Sequence, residues 1–254
     1  MDDLSITIVQ ADIVWEDIHR NLANFDGIIN AIQEETRLIV LPEMFTTGFT
    51  LDSPMLAETM EGSSVAWMQR KAREKRADIA GTLMIKEKGS LFNRLVWAGA
   101  NGKLHWYDKK HLFRYAGEAN LFSPGKERLF VELSGWKICP FICYDLRFPC
   151  WTRNFSNAYD LAIFVASWPA QRAFHWQTLL AARAIENQAY VIGVNRVGID
   201  NNNNSYSGDS SIIDPEGKIL FHHGHGSMVK TMTLSHALLI DYRNRFPAWM
   251  DADI

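Results

Sequence analysis

Apolar positions along the 254-residue chain recur with two periods, and the switches between them mark the elements. Alternation with period 2 indicates a strand, and recurrence at three- and four-residue steps indicates a helix. Residues 5–11 and 38–41 read as strands. Between them Leu22, Phe25, Ile28, Ile29 and Ile32 hold a helical spacing, which predicts a helix over 18–35. A second helix is predicted over 63–76, with Ser63 or Ser64 as its N-cap. Strands follow over 77–86, 93–100 and 103–107, the last two joined at Asn101-Gly102, a pair that favours a tight hairpin turn. Further strands are predicted over 136–143, 161–167 and 190–197, with a helix over 174–188 between the last two. Residues 210–213, 218–221 and 228–234 complete the strands, with Pro215-Glu216-Gly217 as a turn. From Ala237 the tail reads as a short helix and an extended end. Strand–helix alternation with interspersed hairpins implies a layered α/β protein.

Composition narrows the function classes. Apolar residues make up 47% of the chain, enough for one sizeable core, so 1–254 is read as a single domain. The formal net charge is −3, without a basic stripe for nucleic acid. The short basic run at 71–76 reads as a solvated helix face. The start, MDDLSITIVQ, is acidic and then strand-like, unlike a secretory signal, and no apolar run has membrane-spanning length. The expectation is a cytoplasmic protein that contacts no membrane. The Asn-rich stretch 200–204 reads as a mobile surface loop.

Three cysteines, Cys139, Cys143 and Cys150, an odd and small number without a secretory signal, argue against a disulfide framework. Taken alone, each reads as a small buried hydrophobe. Cys143, however, ends an apolar strand, where α/β sheets commonly carry ligands. A thiol becomes a nucleophile only beside a base. Glu43, directly after the strand at 38–41, is one candidate; Lys109 and Glu118 are others. A nucleophile, a proton acceptor and a cation for a developing oxyanion together meet the needs of amide hydrolysis. His222, His223 and His225 read as an exposed turn, not a metal site, because no carboxylate or thiol partners them at a useful spacing. His111 reads as an orienting or core histidine, and Glu186 as a structural partner of Arg183 one helical turn away.

Three segments in this order, LPEMFTTGF (41–49), YDKKHLF (107–113) and ICYDLRFP (142–149), resemble the signatures of the nitrilase superfamily of carbon–nitrogen hydrolases. The resemblance continues through 168–198 and 206–220 and so covers most of the chain. It implies a four-layer αββα sandwich with mixed sheets, no metal and no cofactor. It implies that Glu43 is the general base, Lys109 the catalytic lysine, Cys143 the nucleophile, Glu118 a second glutamate that holds the lysine, and the Tyr144 backbone N–H an oxyanion donor. It also implies a homodimer, with the tail from about 236 a candidate for the contact.

Within the superfamily, DKKHLFR (108–114), NQAYVIGVNRVG (187–198) and YRNRFPAWMDADI (242–254) are most similar to the bacterial omega-amidase branch. That branch opens the terminal amide of short dicarboxylic monoamides such as 2-oxoglutaramate and 2-oxosuccinamate. The alternatives are an N-carbamoyl amine or aliphatic amide hydrolase, or a catalytically idle binding protein. A substrate carboxylate calls for a cation. Arg147 is the candidate and Arg172 the reserve, because a guanidinium can donate two parallel bonds; the structural alternative for Arg147 is an ion pair with Asp145. Trp168 and Phe174 are candidates for the pocket wall.

Overall fold

The computed structural model describes residues 2–251. The chain runs β1 (Leu4–Gln10), α1 (Ile18–Asn30), β2 (Leu38–Val40), α2 (Ser63–Lys75), β3 (Asp78–Glu87), β4 (Ser90–Ala98), β5 (Leu104–Asp108), α3 (Glu118–Leu121), β6 (Val131–Leu133) and β7 (Trp136–Ile142). It continues α4 (Pro149–Thr152), β8 (Leu161–Ala166), α5 (Ala173–Asn187), β9 (Tyr190–Asn195), β10 (Val197–Ile199), β11 (Ser205–Ile213), β12 (Ile219–Gly224), β13 (Met228–Leu234) and α6 (His236–Arg245). The last residues of the predicted tail, 252–254, lie outside the described residues.

Two mixed sheets form. The first has the order β13-β1-β2-β3-β4-β5, the second β10-β11-β9-β8-β7-β6 with β12 on β11. Pairings β1–β2, β2–β3, β7–β8 and β8–β9 are parallel, and the others are antiparallel. Strand alternation divides the first sheet cleanly. Ile6, Ile8, Leu38, Val40, Ala80, Leu95 and Trp97 point into a core shared with Ile138, Ile163 and Ile192 of the second sheet. Val9, Ile39, Leu41, Ile79, Leu83 and Val96 point the other way, onto Phe25 and Ile29 of α1 and Trp67 and Met68 of α2. On the far side of the second sheet α5 seats Trp176, Leu180 and Ala184, spaced by four so that they share one helix face. The result is the four-layer αββα sandwich.

Several local expectations change in physically instructive ways. Helix α1 ends at Asn30, yet Ile32 remains buried, so the apolar period outlasts the helix. The cap of α2 is supplied from outside. Gly62 occupies the N-cap, and Glu58 Oε1 accepts from Ser63 Oγ (2.8 Å) and Ser64 N (3.1 Å). Lys71 departs from the predicted solvated face; it is buried and pairs with Asp26 and Glu74, both at 2.8 Å. The Asn101-Gly102 turn forms as expected with Gly102 in the left-handed region, and a second hairpin turns at Lys88-Gly89, where both residues are left-handed.

Candidate active site

Glu43, Lys109 and Cys143 each follow a strand end: β2, β5 and β7 respectively. The first two emerge at the same end of the first sheet, and Cys143 approaches from the second. Cys143 opens a 3-10 turn (Cys143–Arg147) with φ 44, a conformation that L residues rarely adopt. In such a turn the first N–H groups have no partner within the turn, which leaves the Tyr144 N–H available as a donor.

The four groups meet in one buried cluster. Lys109 Nζ lies 2.8 Å from Glu43 Oε1 and 2.9 Å from each Glu118 oxygen, with all three side chains fully buried. Ser167 N, just past β8, donates to Glu43 Oε2 at 2.7 Å. Asn93 Nδ2, on β4, donates to Glu43 Oε1 (2.8 Å) and Glu118 Oε1 (3.0 Å). Phe113 N donates to Glu118 Oε2 at 2.5 Å. Glu118 Oε1 therefore takes both Lys109 and Asn93 while Oε2 takes Phe113 N, which fixes the carboxylate against Lys109.

The electrostatics follow from burial and charge. Burial alone would lower the Lys109 ammonium, but Glu118 and Glu43 outweigh it and hold the group well above the ordinary lysine range. Burial raises the Glu118 carboxyl; Lys109 pulls it down and Glu43 pushes it up, leaving it above the usual carboxylate range. Burial also pushes the Cys143 thiol up, and the Glu43 charge adds to this against the opposing Lys109. The resting Cys143 side chain is thus a neutral thiol beside the Glu43 carboxyl.

A network outside this cluster ties the Cys143 turn to the Lys109 segment. Buried Asp145 accepts from Tyr107 Oη (2.6 Å), His111 N (2.9 Å) and Ile142 N (3.1 Å), and its Oδ1 lies 2.8 Å from His111 Nδ1. His111 thus has an orienting geometry. Gly125 N donates to Lys109 O at 2.9 Å, and a Cβ at Gly125 would sit 2.0 Å from Asp108 O, so only glycine allows this approach.

Above Cys143 and Lys109 opens a cavity of about 130 Å³, walled by Phe49, Phe113, Tyr144, Trp168 and Tyr206 and edged by Arg147 and Arg172. The Asp145–Arg147 pair does not form. Arg147 lies over the Trp168 ring (4.9 Å) and bonds His175 Nδ1 (2.9 Å), and Arg172 lies over Phe113 (5.5 Å). Among the described residues neither guanidinium has a carboxylate partner within ion-pair distance. Trp168 lines the cavity, but Phe174 does not. It is 76% exposed, because on α5 it lies on the face opposite Trp176, which packs on the sheet.

The 200–204 stretch is a tied loop whose end reaches the cavity. Asp200 accepts from Asn202 N (2.9 Å), Asn204 N (2.9 Å) and Tyr206 Oη (2.8 Å), and Asn204 and Tyr206 line the cavity. Sequence reasoning missed Asn93, Ser167, Asn204 and Tyr206. Asn93 sits mid-strand without a distinguishing local pattern, while Asp200 before a polar run is an Asx-turn signal that marks an ordered loop. Cys139 is buried in the core and Cys150 is exposed, away from the cluster. Glu186 pairs with Arg183 at 2.9 Å, and His222 with Asp209 at 3.0 Å; the described residues hold no cluster of metal-binding side chains. No helix among the described residues is long and apolar enough to cross a membrane.

The omega-amidase YafV of Escherichia coli (strain K12) is 46% identical over 254 residues, which cover 100% of this chain and 98% of that protein. The 2-oxoglutaramate amidase of Bacillus subtilis (strain 168) is 32% identical over 251 residues, covering 97% and 96%. The crystal structure of XC1258 from Xanthomonas campestris, a CN-hydrolase superfamily protein with an arsenic adduct in its active site, matches with a TM-score of 0.98 at 42% identity, covering 100% and 98%. A family model described as carbon-nitrogen hydrolase matches residues 5–244. By signatures, fold and family match together, this chain belongs to the carbon–nitrogen hydrolases of the nitrilase superfamily.

Proposed function

We propose that the protein is an omega-amidase that hydrolyses the terminal amide of short dicarboxylic monoamides, 2-oxoglutaramate and 2-oxosuccinamate, to the acid and ammonia. One observation carries the reading: a buried thiol–carboxylate–ammonium cluster floors a small cavity whose rim holds two guanidiniums without acidic partners. A small, aromatic-walled cavity of this kind suits a short amide substrate. The similarity to omega-amidase YafV and to a 2-oxoglutaramate amidase supports the same substrate class.

In this mechanism Glu43 takes the Cys143 proton as sulfur attacks the amide carbon. The Tyr144 N–H and the third N–H of Lys109, the two others being engaged by Glu43 and Glu118, stabilise the oxyanion. Each such donor contributes about 3–4 kcal/mol. Glu43 returns the proton to the departing ammonia and leaves a thioester on Cys143. Water, deprotonated by Glu43, attacks the thioester and releases the acid and the thiol. Glu118 holds Lys109 charged and in place. Arg147, with Arg172 beside it, receives the substrate carboxylate, and the flat face of Trp168 supports both Arg147 and the substrate chain.

We read residues 1–254 as one domain acting in the cytoplasm as a homodimer. Exposed Leu238, Phe246 and Met250 on the tail support an interface there. Purified protein incubated with 2-oxoglutaramate is expected to release ammonia, and Cys143→Ala to abolish release while keeping the fold. Absence of ammonia from every omega-monoamide tested refutes the reading, and carbon dioxide release from an N-carbamoyl amine would redirect it. Light scattering reads the dimer.

A further inference from the structure

Asn93 lies mid-strand on β4, 1% exposed, and its backbone carbonyl accepts the Lys109 N–H at 3.0 Å. Its Nδ2 carries two hydrogens, and both are used: one on Glu43 Oε1, one on Glu118 Oε1. These two oxygens also receive Lys109 Nζ. Ammonium, carboxylate, carboxamide and carboxylate therefore close a ring of four hydrogen bonds. The reversed amide would set its oxygen against two carboxylates, so the orientation is dictated. It is kept although Asn93 Oδ1 is buried without a partner.

A carboxylate oxygen accepts about two hydrogen bonds. Glu43 Oε1 already has two, from Lys109 and Asn93. Glu43 Oε2 has one, from Ser167 N at 2.7 Å. Among the described residues, the acceptor site left open on Glu43 is therefore on Oε2.

We infer that Asn93 is a positioning residue that selects the working oxygen of the base: by filling Glu43 Oε1 it confines the Cys143 proton to Oε2. This rests on the reading of Glu43 as the general base. The step balances simply. The S–H bond breaks, an O–H bond forms on Oε2, and the sulfur lone pair enters the new S–C bond. Without the carboxamide, Oε1 competes for the proton and the carboxylate turns toward Lys109. Asn93 also donates to the ionised form of Glu118 and lowers that carboxyl, so its loss favours protonation of the cluster.

The test compares Asn93→Ala and Asn93→Ser with the parent in kcat, KM, pH profile and thermal midpoint. A second arm measures alkylation of Cys143 by iodoacetamide, an uncharged probe that needs no substrate carboxylate. The expected loss in kcat for Asn93→Ala is about ten- to a hundredfold, the worth of one hydrogen bond to a charged group, with KM within about twofold. The acid limb of kcat moves to higher pH, and alkylation at a fixed pH slows in parallel. Asn93→Ser, which keeps one donor, falls between and carries the test if Asn93→Ala does not fold. A folded variant with parental kcat and acid limb overturns the inference, as does a raised KM with kcat unchanged. If the parent hydrolyses no omega-amide, the substrate reading fails, while the alkylation arm still decides the role of Asn93.

Discussion

Replacing Lys109 by methionine removes one charge from the cluster while keeping most of the side-chain volume. The ammonium lies 2.8 Å from Glu43 and 2.9 Å from Glu118, all fully buried. Each attraction is about 6 kcal/mol at an effective dielectric near 20, before desolvation is subtracted. The variant does not lose that much, because the cluster can bind a proton in place of the ammonium. Protonating a carboxyl of ordinary value about 4.3 costs about 1.36 kcal/mol per pH unit above it. At about pH 7.5 this is about 4 kcal/mol, within the range for breaking a buried pair. At about pH 5.5 it shrinks to about 1.5 kcal/mol. The sign follows from proton counting. Folded Lys109→Met binds one more proton than its unfolded chain, so its stability falls as pH rises. In the parent, the raised ammonium is charged in both states throughout this window and adds no such slope. Urea denaturation of both proteins at several pH values reads the difference. A deficit that is independent of pH, or below about 1 kcal/mol at neutral pH, refutes the account of a charge-compensated cluster.

The other predictions concern substrate binding and local packing. Arg147→Met is expected to raise KM for 2-oxoglutaramate about ten- to a hundredfold with little change in kcat, since a charged hydrogen-bonded contact is lost in ground and transition states alike. A neutral amide of similar size should lose nothing, and equal losses on both would remove Arg147 from carboxylate binding. Gly125→Ala places a methyl against the Asp108 carbonyl and is expected to cost about 1–3 kcal/mol while displacing Lys109, read as a lower thermal midpoint together with a lower kcat.

What the sequence determined by itself was local or strictly periodic. The alternation in 5–11 and 38–41 assigned opposite faces to Ile8 and Val9, and to Leu38 and Ile39, and the sandwich uses both faces. Such periods survive into the fold because burial acts on faces. Strand-end positions for Glu43, Lys109 and Cys143 were legible for the same reason, and three ordered signatures named their chemistry. Only the tertiary structure decided how these strand ends meet. Asn93 and Ser167 lie 50 and 124 positions from Glu43, yet both donate to it, and no window of sequence encodes contacts between segments so far apart in the chain. The same holds for solvation. Lys71 looks like any surface lysine until α1 brings Asp26 beside it. Phe174 looks like a pocket aromatic until the buried face of α5 turns it outward. Composition and period specify which residues prefer to be buried; the close packing of four layers specifies which of them touch.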